Sequence, residues 1–134
     1  MPSLKGSRTE ENLRQALIAN AQASQRFQLC AREAYRQGED DTAQLLRATA
    51  EAEMSRAAGH LHYLEPAAEP DDTRTMTALL ALTNEHAAMY PAMARTARLE
   101  GFDDVADWFE TLAKATRRQQ DRLQRVGGAA QSLT

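Results

Sequence analysis

"GEDDTAQLLRATAEAEMSR", Gly38 to Arg56, decides the fold because the chain writes it twice. Sixty-three residues on, "GFDDVADWFETLAKATRRQ" runs from Gly101 to Gln119 with the same glycine, the same acidic pair and the same alanine spacing. A repeat of this kind marks a duplicated supersecondary unit. Each copy opens on a glycine, passes through acids suited to a first helical turn, and continues as an apolar stripe with steps of three and four. Each is therefore the second half of a helical hairpin.

The rest of the chain falls into place around the two copies. "SRTE", Ser7 to Glu10, has capping-box form and starts the first helix, which Gly38 ends. The expected helices run over about 8–37, 40–65, 73–100 and 103–126, in one domain of 134 residues. "PAAEPDD", Pro66 to Asp72, is the linker between the hairpins. Pro91 lies inside the third helix and should kink it. Gly127-Gly128 should end the fourth and leave "AAQSLT" loose. No strand signal is present. Four amphipathic helices with short turns predict an all-α four-helix bundle.

Composition removes several function classes. Hydrophobic residues make up 43% and charged ones 26%, which is globular composition. The formal net charge of −3 gives no general attraction to nucleic acid or to an anionic membrane. No apolar run reaches the length of a membrane span, so a cytoplasmic home is expected. One cysteine, Cys30, cannot form a disulfide within the chain or supply a four-thiolate iron site.

The stripes are apolar except near their middles. Asn20, Glu53, Arg56, Glu85, Thr116 and Gln119 all fall on inward positions at comparable heights. The repeat lays Glu53 over Thr116 and Arg56 over Gln119. Other polar candidates carry less. His60 and His62 in "GHLHYLE" read as surface or capping residues. Met54, Met76, Met89 and Met93 read as packing. Lys114, Arg117, Arg118, Arg122 and Arg125 suit the C-terminal half of a helix, or a face that docks an acidic partner.

Several phrases resemble the rubrerythrin family of ferritin-like proteins. They are "SLKGSRTEENL" from Ser3, "AQASQRF" from Ala21, "TAEAE" from Thr49, "MYPAMARTARLEGF" from Met89 and "ADWFETLAKA" from Ala106, in order over roughly Ser3 to Val126. The resemblance implies a ferritin-like bundle and a di-iron centre built from carboxylates on four helices and two E-x-x-H pairs. Carried over, the ligand positions become Asn20, Glu53, Arg56, Leu82, Glu85, Thr116 and Gln119. Two of the seven, Glu53 and Glu85, keep a ligand. Phe27 and Tyr90 fall where the family has aromatic residues beside the metals.

Arginine and leucine cannot ligate a metal, and Asn, Thr and Gln are weak neutral donors. A metal-free bundle without a cofactor follows as the expectation, with Arg56 standing between Glu53 and Glu85 as the replacement cation. Breaking such a buried pair would cost ~3–5 kcal/mol. A solvated Glu53–Arg56 surface pair is the plainer alternative. The functional expectation is a non-catalytic structural or partner-binding protein. The alternative is an enzyme, a remodelled peroxide or oxygen reductase using iron or another divalent metal, with Glu53, Glu85 and His86 the best remaining ligands.

The linker bears on assembly. A second helix of roughly 25 residues is ~37 Å long. Seven residues reach at most ~25 Å. Either the second and third helices become antiparallel, or hairpins exchange between two chains. The exchange predicts a domain-swapped homodimer.

Overall fold

The computed structural model describes residues 2–66 and 73–132; side chains are described except at 73–75 and 127–132. The linker residues 67–72 lie outside that description. The fold is all-α, as expected of a ferritin-like bundle. Helix α1 spans Arg8–Arg36, α2 Asp40–Leu64, α3 Thr73–Leu99 and α4 Asp103–Ser132. The chain divides into two compact units, Met1–Ala68 and Glu69–Thr134, each an antiparallel hairpin.

The two hairpin turns are copies of one another. Gly38 and Gly101 take φ of +78° and +88°, a left-handed conformation that glycine adopts without a Cβ penalty. In the first turn Gly38 N–H donates to the Tyr35 carbonyl at 3.0 Å and Glu39 N–H to Ala34 at 2.9 Å. In the second, Gly101 N–H donates to Arg98 at 3.1 Å and Phe102 N–H to Ala97 at 2.8 Å. Both are Schellman terminations, which satisfy the last carbonyls of the entering helix. The duplication inferred from letters is thus repeated bond for bond.

The helix starts follow local chemistry with small departures. The Ser7 side chain accepts from Glu10 N–H at 3.0 Å. Glu10 reaches back at 3.3 Å to Gly6 N–H, not to Ser7, whose own N–H is held by Leu4. Glu39 occupies the N-cap of α2 without a side-chain cap bond, so "EDD" contributes first-turn charge through Asp40 and Asp41 instead. Helix α3 continues through Pro91 to Leu99. Helix α4 passes Gly127-Gly128 and reaches Ser132, beyond the expected end at 126. Two glycines lower helix propensity by about 1 kcal/mol each, but no proline follows to stop the helix.

Small residues hold each hairpin together. In the first, the buried positions are Ser24, Ala31 and Ala34 on α1 against Ala43, Ala50 and Ala57 on α2. In the second they are Thr83, Ala94 and Ala97 on α3 with Ala106 and Ala113 on α4. Ala31, Ala34, Ala43 and Ala50 map onto Ala94, Ala97, Ala106 and Ala113 through the same offset of 63. Seven-residue spacing keeps the alanines of α2 and α4 on one line facing the partner helix. Ser24 ties the first seam by donating to the Ala50 carbonyl at 2.8 Å. Larger apolar residues flank these seams, with Leu13, Leu17, Phe27 and Leu46 half-buried and Leu79, Leu82, Met93 and Val105 exposed. Among the described residues, no helix is long and apolar enough to cross a membrane.

Candidate functional site: the polar middle of the first hairpin

Where the alanine seam passes the middle of the first hairpin, four polar side chains form a bonded row. Glu53 projects from α2 with its side chain only 16% exposed. Its Oε1 accepts from Arg56 at 2.8 Å, one helical turn along α2. Its Oε2 accepts from Asn20 Nδ2 on α1 at 2.6 Å. Asn20 Oδ1 in turn faces His60 Nε2 at 2.9 Å. A carboxylate can only accept, so Asn20 must turn its amide nitrogen to Glu53 and its oxygen to His60. That orientation makes His60 Nε2 the donor, which assigns the ring proton to Nε2. His60 lies seven residues after Glu53, two turns along the same face.

Glu53 and Arg56 do pair, with Asn20 added, but within this hairpin the pair has the form of the plainer alternative, an exposed contact one turn along α2, and not of a buried cation. Arg56 keeps 60% of its side chain exposed. His60 is a correction: expected as a surface or capping residue, it is half-buried and bonded across the hairpin. The signal for it was its seven-residue spacing from Glu53, which outranks its position near a helix end. His62, by contrast, is exposed and meets Tyr63 edge-on at 5.8 Å.

The second hairpin has no such row among its described residues. Thr83 and Thr116 occupy the positions that the repeat pairs with Asn20 and Glu53. Each hydroxyl donates to its own helix, Thr83 to the Leu79 carbonyl at 2.9 Å and Thr116 to Leu112 at 2.7 Å. Two threonines bonded back to the backbone need no cross-helix partner. Leu82, Glu85, His86 and Gln119 are exposed. Gln120 donates to Asn84 between α3 and α4. Tyr90 stacks on Phe109 with centroids 6.1 Å apart, which gives one of the two expected aromatic positions a packing partner. Near the turn, Arg98 of α3 meets Asp107 at 2.9 Å and Glu110 at 3.0 Å. Those hydrogen bonds, Asp107 first, push the guanidinium pKa above its ordinary value.

Comparison with known proteins agrees with this architecture. No family model matches the sequence. A rubrerythrin of Nitratidesulfovibrio vulgaris is 32% identical over 127 residues, covering 86% of this chain and 66% of that protein. A rubrerythrin of Porphyromonas gingivalis is 34% identical over 124 residues, covering 84% of this chain and 62% of that protein. The chain belongs to the rubrerythrin family. A third rubrerythrin, from Clostridium perfringens, is 29% identical over 143 residues. The match spans about two thirds of the length of the first two rubrerythrins, as the 66% and 62% shares show.

The rubrerythrin relationship implies a di-iron centre, and the residues of this chain do not fit one. Iron would need the lone pairs of Glu53, but both oxygens are engaged, one by a permanent cation and one by an amide. Arg56, which the family resemblance lays over a ligand histidine, cannot give up its proton. Leu82 has no donor atom. Thr116 has its hydroxyl committed to Leu112. Two metal ions would bring at least four positive charges to a set that keeps two carboxylates and a competing guanidinium. Among the described residues, no three His, Cys, Asp or Glu side chains converge as a metal site would require.

Proposed function

We propose that this chain is a metal-free member of the rubrerythrin family, in which a protein-only polar row replaces the metals and the bundle serves as a cytoplasmic structural or partner-binding protein. The observation that carries the reading is the double engagement of Glu53, by Arg56 on one oxygen and Asn20 on the other. A guanidinium neutralises a half-buried carboxylate without demanding further ligands, so the polar middle is satisfied as it stands. Within that row both Glu53 oxygens are taken and Arg56 has no lone pair to give, which leaves the Nδ1 of His60 as the one open donor.

Protein produced in iron-supplemented medium and purified without chelator tests this directly. Elemental analysis should find well under one iron per chain, the visible spectrum should show no ligand-to-metal band, and peroxide turnover should not exceed that of free iron. Stoichiometric iron with peroxidase turnover would overturn the reading. It would favour the second one, a remodelled metal-dependent peroxide or oxygen reductase. The observation on that side is His60, an imidazole placed one amide away from Glu53.

A further inference from the structure

Both hairpins carry the same groove. In the first it encloses about 270 Å³ and is lined by Gln28, Ala31, Arg32, Arg47, Ala50 and Glu51. In the second it encloses about 280 Å³, and its lining includes Pro91, Ala94, Arg95, Glu110, Ala113 and Lys114. Every residue of the first set maps onto one of the second through the offset of 63. The groove is therefore a product of the alanine seam. Helices that meet on alanine leave a hollow between the longer side chains on either flank. Pro91 and Arg95 lie two residues to either side of Met93, about half a turn round α3, so the second groove opens away from the apolar stripe.

The two copies differ in charge. The first sets Arg32 and Arg47 beside Glu51. In the second, Lys114 takes the place of that acid, and Arg117, the counterpart of Met54, joins the lining. Glu110 is the one acid of the second groove, and it is already engaged. Its Oε1 accepts from Arg98 at 3.0 Å, through the same nitrogen that meets Asp107 at 2.9 Å. The side chains of Arg95 and Lys114 have no hydrogen-bond or ion-pair partner among the described residues. Arg117 bonds only the Ala113 carbonyl, through Nε at 3.4 Å. Three cations from two helices thus line one hollow whose only acid is neutralised from outside it. Such a cluster raises the local concentration of anions.

We propose that the groove between Arg95 and Lys114–Arg117 binds a small ligand through a phosphate group. Guanidinium groups offer paired N–H donors that match phosphate oxygens, and Lys114 adds a point charge. A dianion gains more from three cations than a carboxylate does. The floor is Ala94 and Ala113, both buried, with half-buried Pro91 beside them. It adds no polar side chain, so it suits a short organic body. A hollow of this size admits a phosphate and few further heavy atoms. Arg98 is a positioning residue, which acts by keeping Glu110 neutralised. Arg118, Arg122 and Arg125 of the basic run on α4 do not line the hollow. The groove shares no residue with the Glu53 row, so the inference is independent of the metal-free reading.

The test is a titration of the full chain, labelled with nitrogen-15, at pH 8 and low salt, where phosphate is a dianion. Amide NMR shifts follow the addition of inorganic phosphate, phenyl phosphate or acetate. Phosphate should give saturable shifts around Arg95 and Lys114, with a dissociation constant in roughly the low millimolar range or tighter. Acetate should bind about tenfold more weakly, and added salt should weaken every arm. Tighter binding of phenyl phosphate identifies an organic monoester as the source, and equal binding identifies free phosphate. Arg95→Gln and Arg117→Gln should each weaken phosphate binding about fivefold or more. Arg98→Gln should weaken it too, and adding Glu110→Gln in that background should restore it. A loss that Glu110→Gln leaves uncorrected would refute the positioning role of Arg98. Glu51→Lys with Met54→Arg should create a second site in the first hairpin, beside Arg32 and Arg47. No saturable shift below about 20 mM phosphate would overturn the proposal. So would acetate binding as tightly as phosphate, or equal shifts around the first groove of the unaltered chain.

Discussion

Asn20 carries more of the first hairpin's cohesion than Arg56 does. It joins α1 to α2 by bonding Glu53 and His60 at once, whereas Arg56 and Glu53 belong to the same helix. Asn20→Ala leaves a half-buried carboxylate without one of its donors and His60 without its acceptor, and should cost about 1–3 kcal/mol. Within a lone hairpin, Arg56→Ala removes an exposed pair three residues apart and should cost only about 0.2–0.5 kcal/mol. Urea denaturation of both variants checks the ranking. A large Arg56→Ala loss that grows with protein concentration would place the guanidinium inside an assembly. The residue types Glu53 and Arg56 were readable as an inward pair because the repeat sets their register. His60 was not, since its partner Asn20 lies forty residues away on another helix.

The hairpins depend on glycine at two turns and on alanine along two seams. Gly38→Ala and Gly101→Ala force a Cβ into the left-handed region and should each cost about 1–2 kcal/mol. Gly59 gives the opposite sign. It lies inside α2, and a Cβ there would meet nothing within 4 Å. Gly59→Ala should raise stability by about 0.5–1 kcal/mol. Thermal melts of Gly38→Ala and Gly59→Ala should therefore shift in opposite directions. Ala50 and Ala106 are 1% and 0% exposed. Leucine at either would push the helices apart and should cost about 1–3 kcal/mol, seen as an earlier urea midpoint. The Arg98 cluster adds a salt-sensitive element at the second turn. Its raised pKa means that its contribution is complete below the ordinary arginine value and is lost only as pH rises past the raised one. Replacing Arg98 should therefore shift stability by the same amount at pH 6 and pH 8, and by less in strong salt. The turns and seams were legible because glycine, acid and alanine spacing are local signals. The end of α4 was not, because glycine lowers helix propensity without supplying a stop.

A chain whose hairpins, among the described residues, bury only small side chains should owe much of its stability to whatever encloses their apolar faces. If a second copy does so, the melting midpoint must rise with protein concentration, since association stabilises only the folded form. Differential scanning calorimetry across a hundredfold concentration range should show that rise. A midpoint independent of concentration would mean that each chain is self-sufficient. Each hairpin is a compact unit by itself. Periodicity reports that a face is apolar, and says nothing of which chain supplies its cover.

The sequence by itself determined the helices, their turns and the duplication, because capping, left-handed glycine and period-3.6 patterning act over a few residues. It also carries the expectation that the di-iron ligand set is broken, since arginine and leucine have no lone pair to offer wherever they are placed. Only the tertiary structure decided how the remaining polar groups are satisfied. Asn20 of α1 and His60 of α2 are far apart in the chain and neutral by type, so neither announces the other. Packing α1 on α2 along an alanine seam brings them together, and Glu53, an acceptor at both oxygens, then fixes which way Asn20 faces and which nitrogen of His60 holds the proton.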